Sequence, residues 1–355
     1  RSMALGRHYK QIDRDERMKI EALYTAGYSI TEIAKQMNRN YTTIYREVRR
    51  GRTTQRNSDW TERTIYSADL AQMKYEVNKK QCGRELKIGN DYKFLNYIEK
   101  KIADEKYSPA ATLMEIKKEN IKFDTEICLT TLYNYIKSGV FLNLTLEELP
   151  YRRKKKKATH RRVQKRLSAG TSISERPEEI LERDEFGHWE MDTVVGAQGK
   201  GKKSLLVLTE RKTRFELLFL LKDHTSNEVV KALDKLERRV SEKNFREIFK
   251  TITVDNGTEF SDTEGIQKSR RNKRNRTKLY YCHAYRSCER GSNENQNKLV
   301  RRWHPKGTIF DTVTKSEIIM LQNWINEYPR KLFDGGSAKE ILSREDYRYI
   351  DILTA

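Results

Sequence analysis

The chain has 355 residues, with 72 Lys or Arg against 51 Asp or Glu, which gives a formal net charge of +21 at pH 7. This excess of cations indicates a polyanionic partner, with nucleic acid as the prime candidate. The length is typical of two or three domains, and the lack of an apolar run of about eighteen residues predicts a soluble, cytoplasmic protein without a membrane span.

The first predicted domain covers residues 8–52 and contains three short helices. Apolar residues at helical spacing predict a helix over 14–25, and Ser29-Ile-Thr-Glu32 is a capping box that opens the second helix. Asn40 caps a third helix that begins at Tyr41. A capped helix, a short turn and a second helix rich in Thr and Arg form the helix-turn-helix pattern, whose second helix enters the major groove of DNA.

The outward face of the third helix is the predicted DNA-reading surface. Ile44 and Val48 lie one helical turn apart and point inward. The side chains left outward are Thr42, Thr43, Arg46, Arg49 and Arg50. We predict that Arg46 reads a guanine edge, whereas Arg49 and Arg50 hold phosphates. An ordinary three-helix bundle with a solvated face is the alternative, and the basic third helix argues against it.

A predicted linker over 53–68 is polar and lacks periodicity. Residues 69–145 then repeat the helical theme, and Thr130-Thr-Leu-Tyr resembles Thr42-Thr-Ile-Tyr of the first domain. A second helix-turn-helix would place Thr130 and Thr131 on DNA. Because fewer basic side chains face outward here, a purely structural helical bundle is the open alternative.

Residues 146–185 form a predicted basic linker. Its segment from Tyr151 to Arg166 is dominated by Lys and Arg and includes Lys154, Lys155 and Lys156. Like charges at this density repel one another and keep a chain extended until a polyanion neutralises them. We therefore predict that this segment lies along a DNA backbone and that the acidic stretch after it marks a domain boundary.

Residues 186–350 change to a mixture of strands and helices, as expected of an α/β domain. Apolar patterns predict strands over 189–195, 204–209, 215–221, 251–254 and 278–282. Helices are predicted over 226–240, 263–267 and 292–303, and an amphipathic helix over 313–333. Three strands in hairpin order, a helix and further strands indicate a mixed sheet flanked by helices. The amphipathic helix either closes the core or pairs subunits, and core packing is the favoured use.

Cysteine usage indicates no disulfide framework. Cys82, Cys128, Cys282 and Cys288 show no CxxC spacing, which also argues against a zinc ribbon. Cys282-His283 with Cys288 is an alternative metal-binding set, although metal-ligand pairs usually stand closer in sequence. We interpret Cys282 and Cys288 as buried structural thiols.

Three carboxylates stand at positions suited to a metal site: Asp192 in a strand, Asp255 at the end of another strand and Glu294 in a helix. If these two strands pair in parallel, the aspartates meet at one end of the sheet. Lys298 and Arg301 share a helix face with Glu294 and would hold the scissile phosphate. Carboxylates without clustered His suit Mg²⁺ or Mn²⁺, and two such ions support in-line phosphoryl transfer.

Each acid also has a structural alternative. Asp255 can form an Asx turn with Gly257, Asp192 can be a paired core acid, and Glu294 can be a surface residue. The competing acids are Glu190, Glu259 and Glu289. Glu289 lacks a cation seven residues later, and this favours Glu294.

Three motifs resemble the catalytic boxes of DDE transposases: His188-Trp-Glu-Met-Asp192-Thr, Thr253-Val-Asp255-Asn-Gly-Thr-Glu-Phe and Glu289-Arg-Gly-Ser-Asn-Glu294. Trp303-His-Pro-Lys-Gly-Thr308 and Tyr45-Arg-Glu-Val-Arg-Arg-Gly51 narrow the resemblance to insertion-sequence family thirty. It extends from about residue 8 to the end of the sequence. The resemblance implies a multidomain protein, in which all-α helix-turn-helix domains precede an α/β, ribonuclease-H-like catalytic domain similar to that of retroviral integrases.

The same resemblance implies a function. Asp192, Asp255 and Glu294 would bind two Mg²⁺ or Mn²⁺ ions, and the helix-turn-helix would recognise the terminal inverted repeats of an insertion sequence. The catalytic domain would cut a 3′ end with water and join the freed 3′ hydroxyl to double-stranded target DNA. Because two ends must be held together, a homodimer is expected, associated with the nucleoid of a bacterial cell.

One departure from the family is the interval between Asp255 and Glu294, which is longer than expected. The excess is assigned to the basic stretch 268–278, either an extra DNA-contacting loop or a disordered insertion. Two rival functions stay open: another ribonuclease-H-like nuclease or integrase, and a DNA-binding regulator with an idle α/β domain. The presence of all three acids within their motifs argues against an idle domain.

Overall fold

The computed structural model describes residues 10–56, 58–82, 85–150, 170–197, 199–283, 291–345 and 347–354, without the side chains of residues 291, 292, 294 and 354. Two compact units follow one another along the chain, the first ending at Leu86 and the second beginning at Lys87. Within the described ranges, no helix is both long enough and apolar enough to cross a membrane.

The three predicted N-terminal helices are confirmed as α1 (Arg14–Thr25), α2 (Ile30–Gln36) and α3 (Tyr41–Gly51). Each begins at a side-chain cap that satisfies backbone N–H groups of the first turn. Asp13 and Glu16 form a reciprocal capping box at α1, as Ser29 and Glu32 do at α2. Asn40 caps α3. Local sequence therefore determines where all three helices start.

The core of the first unit contains an ion pair among apolar side chains. Ile20, Ile33 and Ile44 are fully buried. Arg17 and Glu47 are buried beside them, with 2.8 Å between Arg17 Nε and Glu47 Oε1. Because a buried charge is costly without a partner, this pair must form whenever α1 packs on α3.

The predicted linker over 53–68 is replaced by a β-hairpin. Strands β1 (Arg52–Arg56) and β2 (Glu62–Tyr66) pair in antiparallel fashion, and helix α4 (Ala68–Gln81) follows. The hairpin escaped prediction because both faces of its outer part are solvated, so its strands lack apolar alternation. Ala68 and Ala71 of α4 join the core of the first unit. The boundary between compact units is thus at Leu86 rather than at residue 68.

The second helical region opens the second unit. It comprises α5 (Tyr92–Glu99), a π-helical turn (Lys100–Asp104), α6 (Pro109–Lys118) and α7 (Leu129–Lys137). Residues 119–128 join α6 to α7, which is longer than the turn of roughly three to four residues in a helix-turn-helix. Tyr107 and Ala111 extend into the core beneath the large sheet. This region therefore packs as part of the second unit.

The second unit is built on a mixed five-stranded sheet. Its strands are β3 (His188–Val195), β4 (Ser204–Glu210), β5 (Glu216–Leu221), β6 (Thr251–Val254) and β7 (Lys278–Tyr281). The spatial order is β5-β4-β3-β6-β7. β3, β4 and β5 form antiparallel pairs, whereas β6 pairs in parallel with both β3 and β7. All five predicted strands are present.

Helices cover both faces of this sheet. One face packs on α9 (Ser226–Val240) and α10 (Glu242–Ile248), with α14 (Ala338–Glu345) and α15 (Tyr347–Thr354) beyond them. The other face packs on α12 (Gly291–Trp303) and α13 (Lys315–Glu327). The short helices are α8 (Glu179–Glu182) and α11 (Thr263–Gln267). Ile318, Leu321 and Ile325 of α13 are buried, so the amphipathic helix does close the core.

The basic stretch after α11 is a folded turn. Arg276 is buried, and its guanidinium lies 2.8 Å from Asp234 and 3.0 Å from Glu237, both on α9. Arg276 Nε also donates to the carbonyl of Ile266. An arginine with several donors satisfied inside the fold holds a loop in one arrangement. The expectation of a disordered insertion over 268–278 is therefore not met.

Candidate active site and DNA-binding surface

Parallel pairing of β3 and β6 brings two of the predicted acids together. The register runs from His188↔Thr251 to Glu190↔Thr253. The same offset relates Asp192, two residues further along β3, to Asp255, which directly follows the last residue of β6. Paired residues of neighbouring strands lie about 4.8 Å apart and project from the same face. The parallel arrangement on which the predicted site depended is present.

Helix α12 lies along β3 and is fixed to it by polar contacts. The Asn293 backbone N–H donates to Glu190 Oε2 at 3.2 Å, and Asn297 Nδ2 donates to Asp192 Oδ2 at 2.7 Å. Further along, Arg301 donates to the carbonyl oxygen of Val195 at 2.8 Å. Successive turns of the helix thus contact points two to three residues apart along the strand.

Glu294 belongs to the first turn of this helix, although its side chain lies outside the described residues. In sequence it directly follows Asn293, which binds Glu190, and it precedes by one helical turn Asn297, which binds Asp192. Its backbone therefore stands over the acid-bearing part of β3. The competing acid Glu289 also lies outside the described residues.

Glu190 has a structural role as a buried, paired carboxylate. It is fully buried two residues before Asp192 and accepts the Asn293 N–H. Arg211 Nε lies 3.3 Å from its Oε1, and burial lowers the pKa of Arg211 to about 10. A buried carboxylate paired in this way anchors the start of α12 and is not accessible as a metal ligand.

Asp255 both ends β6 and forms a turn. Its Oδ1 accepts the Gly257 N–H at 2.9 Å, so the Asx turn considered as an alternative is present. Asn256 Nδ2 donates to the Cys282 carbonyl at 2.9 Å, which ties the turn to the end of β7. A Cβ at position 257 would collide with the carboxylates of Asp255 and Glu259. A side chain at this position would displace the two carboxylates from their present positions.

A hydrogen-bonded triad that sequence reasoning missed stands beside the aspartates. The Thr193 hydroxyl lies 2.7 Å from Glu259 Oε1 and 2.9 Å from His224 Nε2. His224 Nε2 is 3.1 Å from the same Glu259 oxygen. The triad connects β3, the segment before α9 and the turn after β6. Its sequence signal is weak, because Thr193 and Glu259 belong to the motifs of Asp192 and Asp255, whereas His224 belongs to none of the motifs identified in the sequence.

Carboxylate oxygens are the ligands that Mg²⁺ and Mn²⁺ prefer, and Asp192 and Asp255 supply them. In the described part of the chain, no three His, Cys, Asp or Glu side chains lie close enough together to hold a metal ion. The third predicted ligand, Glu294, has its side chain outside that part. The donor chemistry of the two described aspartates fits a hard divalent cation.

Cations line the exposed side of α12. Lys298 Nζ donates to Asn295 at 3.1 Å, and a groove beside it is also lined by Lys106, Arg302 and Lys306. Arg301, predicted to bind phosphate, donates to the Val195 carbonyl and more weakly to two carbonyls just after α12. Its guanidinium therefore fastens the end of α12 to the end of β3.

The outward face of α3 is arranged largely as predicted. Thr42, Thr43, Arg46 and Arg49 are exposed. Arg50 differs, because its guanidinium pairs with the buried Glu47 and stabilises the core. Tyr41 and Tyr45 are also exposed, with ring centroids 6.1 Å apart in a stacked arrangement. This aromatic pair was not predicted, and it adds flat apolar surface to the polar face.

The remaining predicted contacts have different outcomes. Thr130 is exposed at the start of α7, whereas the Thr131 hydroxyl lies 3.2 Å from the sulfur of the capping residue Cys128. The basic segment with Lys154, Lys155 and Lys156 lies outside the described residues.

Among the cysteines, Cys282 is buried as expected, whereas Cys82 and Cys128 are exposed. Cys82 and Cys128 lie at helix ends. Cys288 lies outside the described residues.

Comparison with known proteins finds two domain families in the chain. Residues 8–51 match the family model of a helix-turn-helix domain, and residues 182–287 match that of the integrase core domain. With a mixed five-stranded sheet, the second match confirms the ribonuclease-H-like fold class.

Full-length relatives extend the similarity. The probable transposase for insertion-like sequence element IS1161 of Streptococcus salivarius is 31% identical over 347 residues, 94% of each chain. The transposase for insertion sequence element IS4351 of Bacteroides fragilis is 29% identical, covering 91% of this chain and 92% of that protein. Transposase InsI for IS30C of Escherichia coli (strain K12) is 28% identical, covering 93% and 82%.

Proposed function

The chain belongs to the insertion-sequence transposases of family thirty, and from this premise we propose that Asp192, Asp255 and Glu294 are its catalytic acids. It is a DDE-type polynucleotidyl transferase of DNA transposition and integration. Enzymes with this core use divalent metal ions. The proposed ions are two Mg²⁺ or Mn²⁺, held by these three carboxylates.

The observation that carries this proposal is the β3–β6 register, which leads Asp192 alongside Asp255. Strand backbone is rigid, so the two carboxylates are preorganised before metal or DNA arrives. Asn297 orients Asp192, and the Gly257 N–H orients Asp255. When bound, the ions would polarise the scissile phosphate and activate the attacking oxygen. Lys298, beside the acids on α12, would hold a neighbouring phosphate.

The DNA partners follow from the two matched domains. The helix-turn-helix would bind the terminal inverted repeats of the element, with Arg46 on a base edge and Arg49 on a phosphate. The ribonuclease-H-like core would cut the 3′ ends and join them to target DNA. Two ends cut in one event require two active sites, and we propose a homodimer associated with the bacterial nucleoid.

Cleavage and joining of a labelled duplex carrying the element's own end tests this proposal. Products should form with Mg²⁺ or Mn²⁺ and not with EDTA. Asp192→Asn, Asp255→Asn and Glu294→Gln should each reduce the rate by about a thousandfold or more while binding the duplex normally. Glu264→Gln, an exposed acid on α11, is the matched control and should cut at the normal rate.

Three results would contradict the assignment. Normal cutting by Glu294→Gln would mean that Glu289, and not Glu294, is the third catalytic acid. Tight binding of the element's end without any cutting, with either metal, would favour a DNA-binding regulator. Nonspecific nicks without joined products would instead indicate a nuclease on the same core.

A further inference from the structure

The β1–β2 hairpin is a feature that a helix-turn-helix alone does not require. β1 starts at Arg52, directly after the last residue of α3, so the hairpin continues the proposed recognition helix without a loop. The register runs from Arg52↔Tyr66 at the base to Arg56↔Glu62 near the tip. An isolated two-stranded hairpin is at best marginally stable in water, so its attachment to the unit decides whether it can act as a fixed element.

The base of the hairpin is firmly attached to α3. Tyr66 is buried, and its hydroxyl lies 3.4 Å from Glu47 Oε1. A Cβ at Gly51 would overlap the Tyr66 ring, so the helix end and the strand end are in direct contact. The Ser67 N–H also donates to the Gly51 carbonyl at 2.9 Å. The direction of the hairpin is therefore set by α3.

The outer part of the hairpin is solvated and carries cations. Arg52, Arg56 and Arg63 are exposed on its two strands. The acids nearby are engaged locally: Glu62 pairs with Arg56 at 3.2 Å, and Asp59 accepts the Thr61 N–H and hydroxyl at the tip. The local charge that remains for an external partner is positive.

Trp60 at the tip is held away from the protein. It is 78% exposed and has φ = 68°, a left-handed backbone conformation that is uncommon for a bulky residue. The Arg56 guanidinium lies over its ring, 5.4 Å from the centroid. A strained backbone that exposes a large aromatic side chain is characteristic of binding surfaces.

We propose that this hairpin is a second DNA-binding element, which contacts the sugar–phosphate backbone and minor groove beside the major-groove site of α3. The inference rests on the proposed DNA recognition by α3. Each strand has five residues and spans about 17 Å. This is about half of the ~34 Å helical repeat of DNA, so the hairpin reaches from one groove to the next. Arg52 and Arg63 contact phosphates, and Trp60 packs at the groove.

The test measures binding of the full chain to a duplex that carries the element's end and its flanking base pairs, with hydroxyl-radical footprinting. The double variant Trp60→Ala/Arg63→Gln should bind about tenfold more weakly, lose protection only at the flanking minor groove, and lower the salt dependence of log K by about one. Thr54→Lys adds a cation on the exposed face of Arg52 and Arg56 and should bind about two- to fivefold more tightly. A gain in affinity cannot arise from misfolding.

Control variants distinguish a failure of the hairpin proposal from a failure of DNA recognition by α3. Tyr347→Ala removes an equally exposed aromatic residue of the second unit and should leave affinity and footprint unchanged. If Arg46→Ala weakens binding while the hairpin variants change neither footprint nor salt dependence, the hairpin inference alone is overturned. If Arg46→Ala also has no effect, recognition by α3 fails as well. A change of oligomeric state with an unchanged footprint would mean that the hairpin contacts protein, and would overturn the proposal.

Discussion

The N-terminal unit and the catalytic unit use charged side chains in different ways. In the first, Arg17 and Glu47 form an ion pair inside the core, while Thr43 and Arg46 project from a separate exposed face. In the second, the acids of the candidate site adjoin buried polar groups directly, as Asp192 follows the buried Glu190 on the same strand face. Stability and function are carried by different residues in one unit and by neighbouring residues in the other.

This difference has a practical consequence for mutagenesis. Substitutions on the exposed face of α3 should change DNA binding at constant stability. Substitutions around β3 and α12 should change both, because the same hydrogen bonds orient the acids and hold the helix to the sheet. Substitutions in both units can test this contrast between stability and function.

The largest effect is expected from Glu47→Gln. The substitution leaves the Arg17 guanidinium buried without its carboxylate partner, which should destabilise the N-terminal unit by about 3–5 kcal/mol. Calorimetry of the full chain should show the N-terminal unit unfolding at a lower temperature than in the unsubstituted protein. DNA binding should be lost above that temperature. The double variant Arg17→Met/Glu47→Leu replaces the pair with apolar groups and should recover most of the stability. An unchanged transition for Glu47→Gln would mean that the pair does not support the core.

Glu216→Gln should remove a pH dependence from the catalytic unit. Burial raises the pKa of Glu216 to about 8, against the opposing charge of Arg330. The folded state therefore keeps a proton that the unfolded state releases near pH 4.5. Stability that is fully present below pH 4.5 should fall as the pH rises towards about 8, by about 1.4 kcal/mol per unit.

The measurement for Glu216 is the urea midpoint of the full chain at pH 5.5 and at pH 8.5. The difference between the two midpoints should shrink in Glu216→Gln and persist in Glu327→Gln, which alters an exposed glutamate of α13. An equal pH dependence in all three proteins would exclude Glu216 as its source.

Glu259→Gln tests whether the Thr193–His224–Glu259 triad supports the acids. Hydrogen-bonded neighbours of metal ligands typically contribute about 10- to 100-fold to activity. We expect the cleavage rate to drop by that factor with unchanged affinity for the element's end. Retention of full cleavage by Glu259→Gln would limit the triad to a structural role.

The smallest effect on stability in this series is expected on the exposed face of α3. Arg46→Ala should weaken binding to the element's end by about 1–3 kcal/mol with little effect on random DNA. Arg49→Ala should weaken both equally, because a phosphate contact carries no sequence information. The melting temperature should not move in either variant. If Arg46→Ala lowers the affinity for the element's end and for random DNA equally, Arg46 contacts only a phosphate.

Local patterns predicted most of the elements. α1 and α9 follow from apolar periodicity, α2 follows from its capping box, and the strand before Asp255 follows from Ile252 and Val254. The hairpin was missed because a solvated ribbon carries no apolar alternation. Arg50 was assigned to phosphate binding because a helical wheel does not show that Glu47, on the inward face, would capture it.

The candidate site depends on information that local patterns do not contain. Asp192 and Asp255 belong to recognisable motifs, but their proximity requires the parallel register of β3 and β6. The contact between Glu259 and His224 joins the Asp255 motif to the segment before α9, which is distant in sequence. Arg301 was expected to face phosphate, whereas its contact with Val195 depends on how α12 lies along the sheet.

The order of the two units along the chain has a consequence during synthesis. The N-terminal unit ends at Leu86, so all of the residues that it needs are synthesised first. Pairing of β3 with β6 must wait for the long segment between them, and Glu294 is made later still. Domains fold as they emerge from the ribosome. A nascent chain would therefore contain a folded DNA-binding unit before all three proposed catalytic acids have been synthesised. A chain interrupted in this interval would occupy the ends of the element and shield them from cleavage.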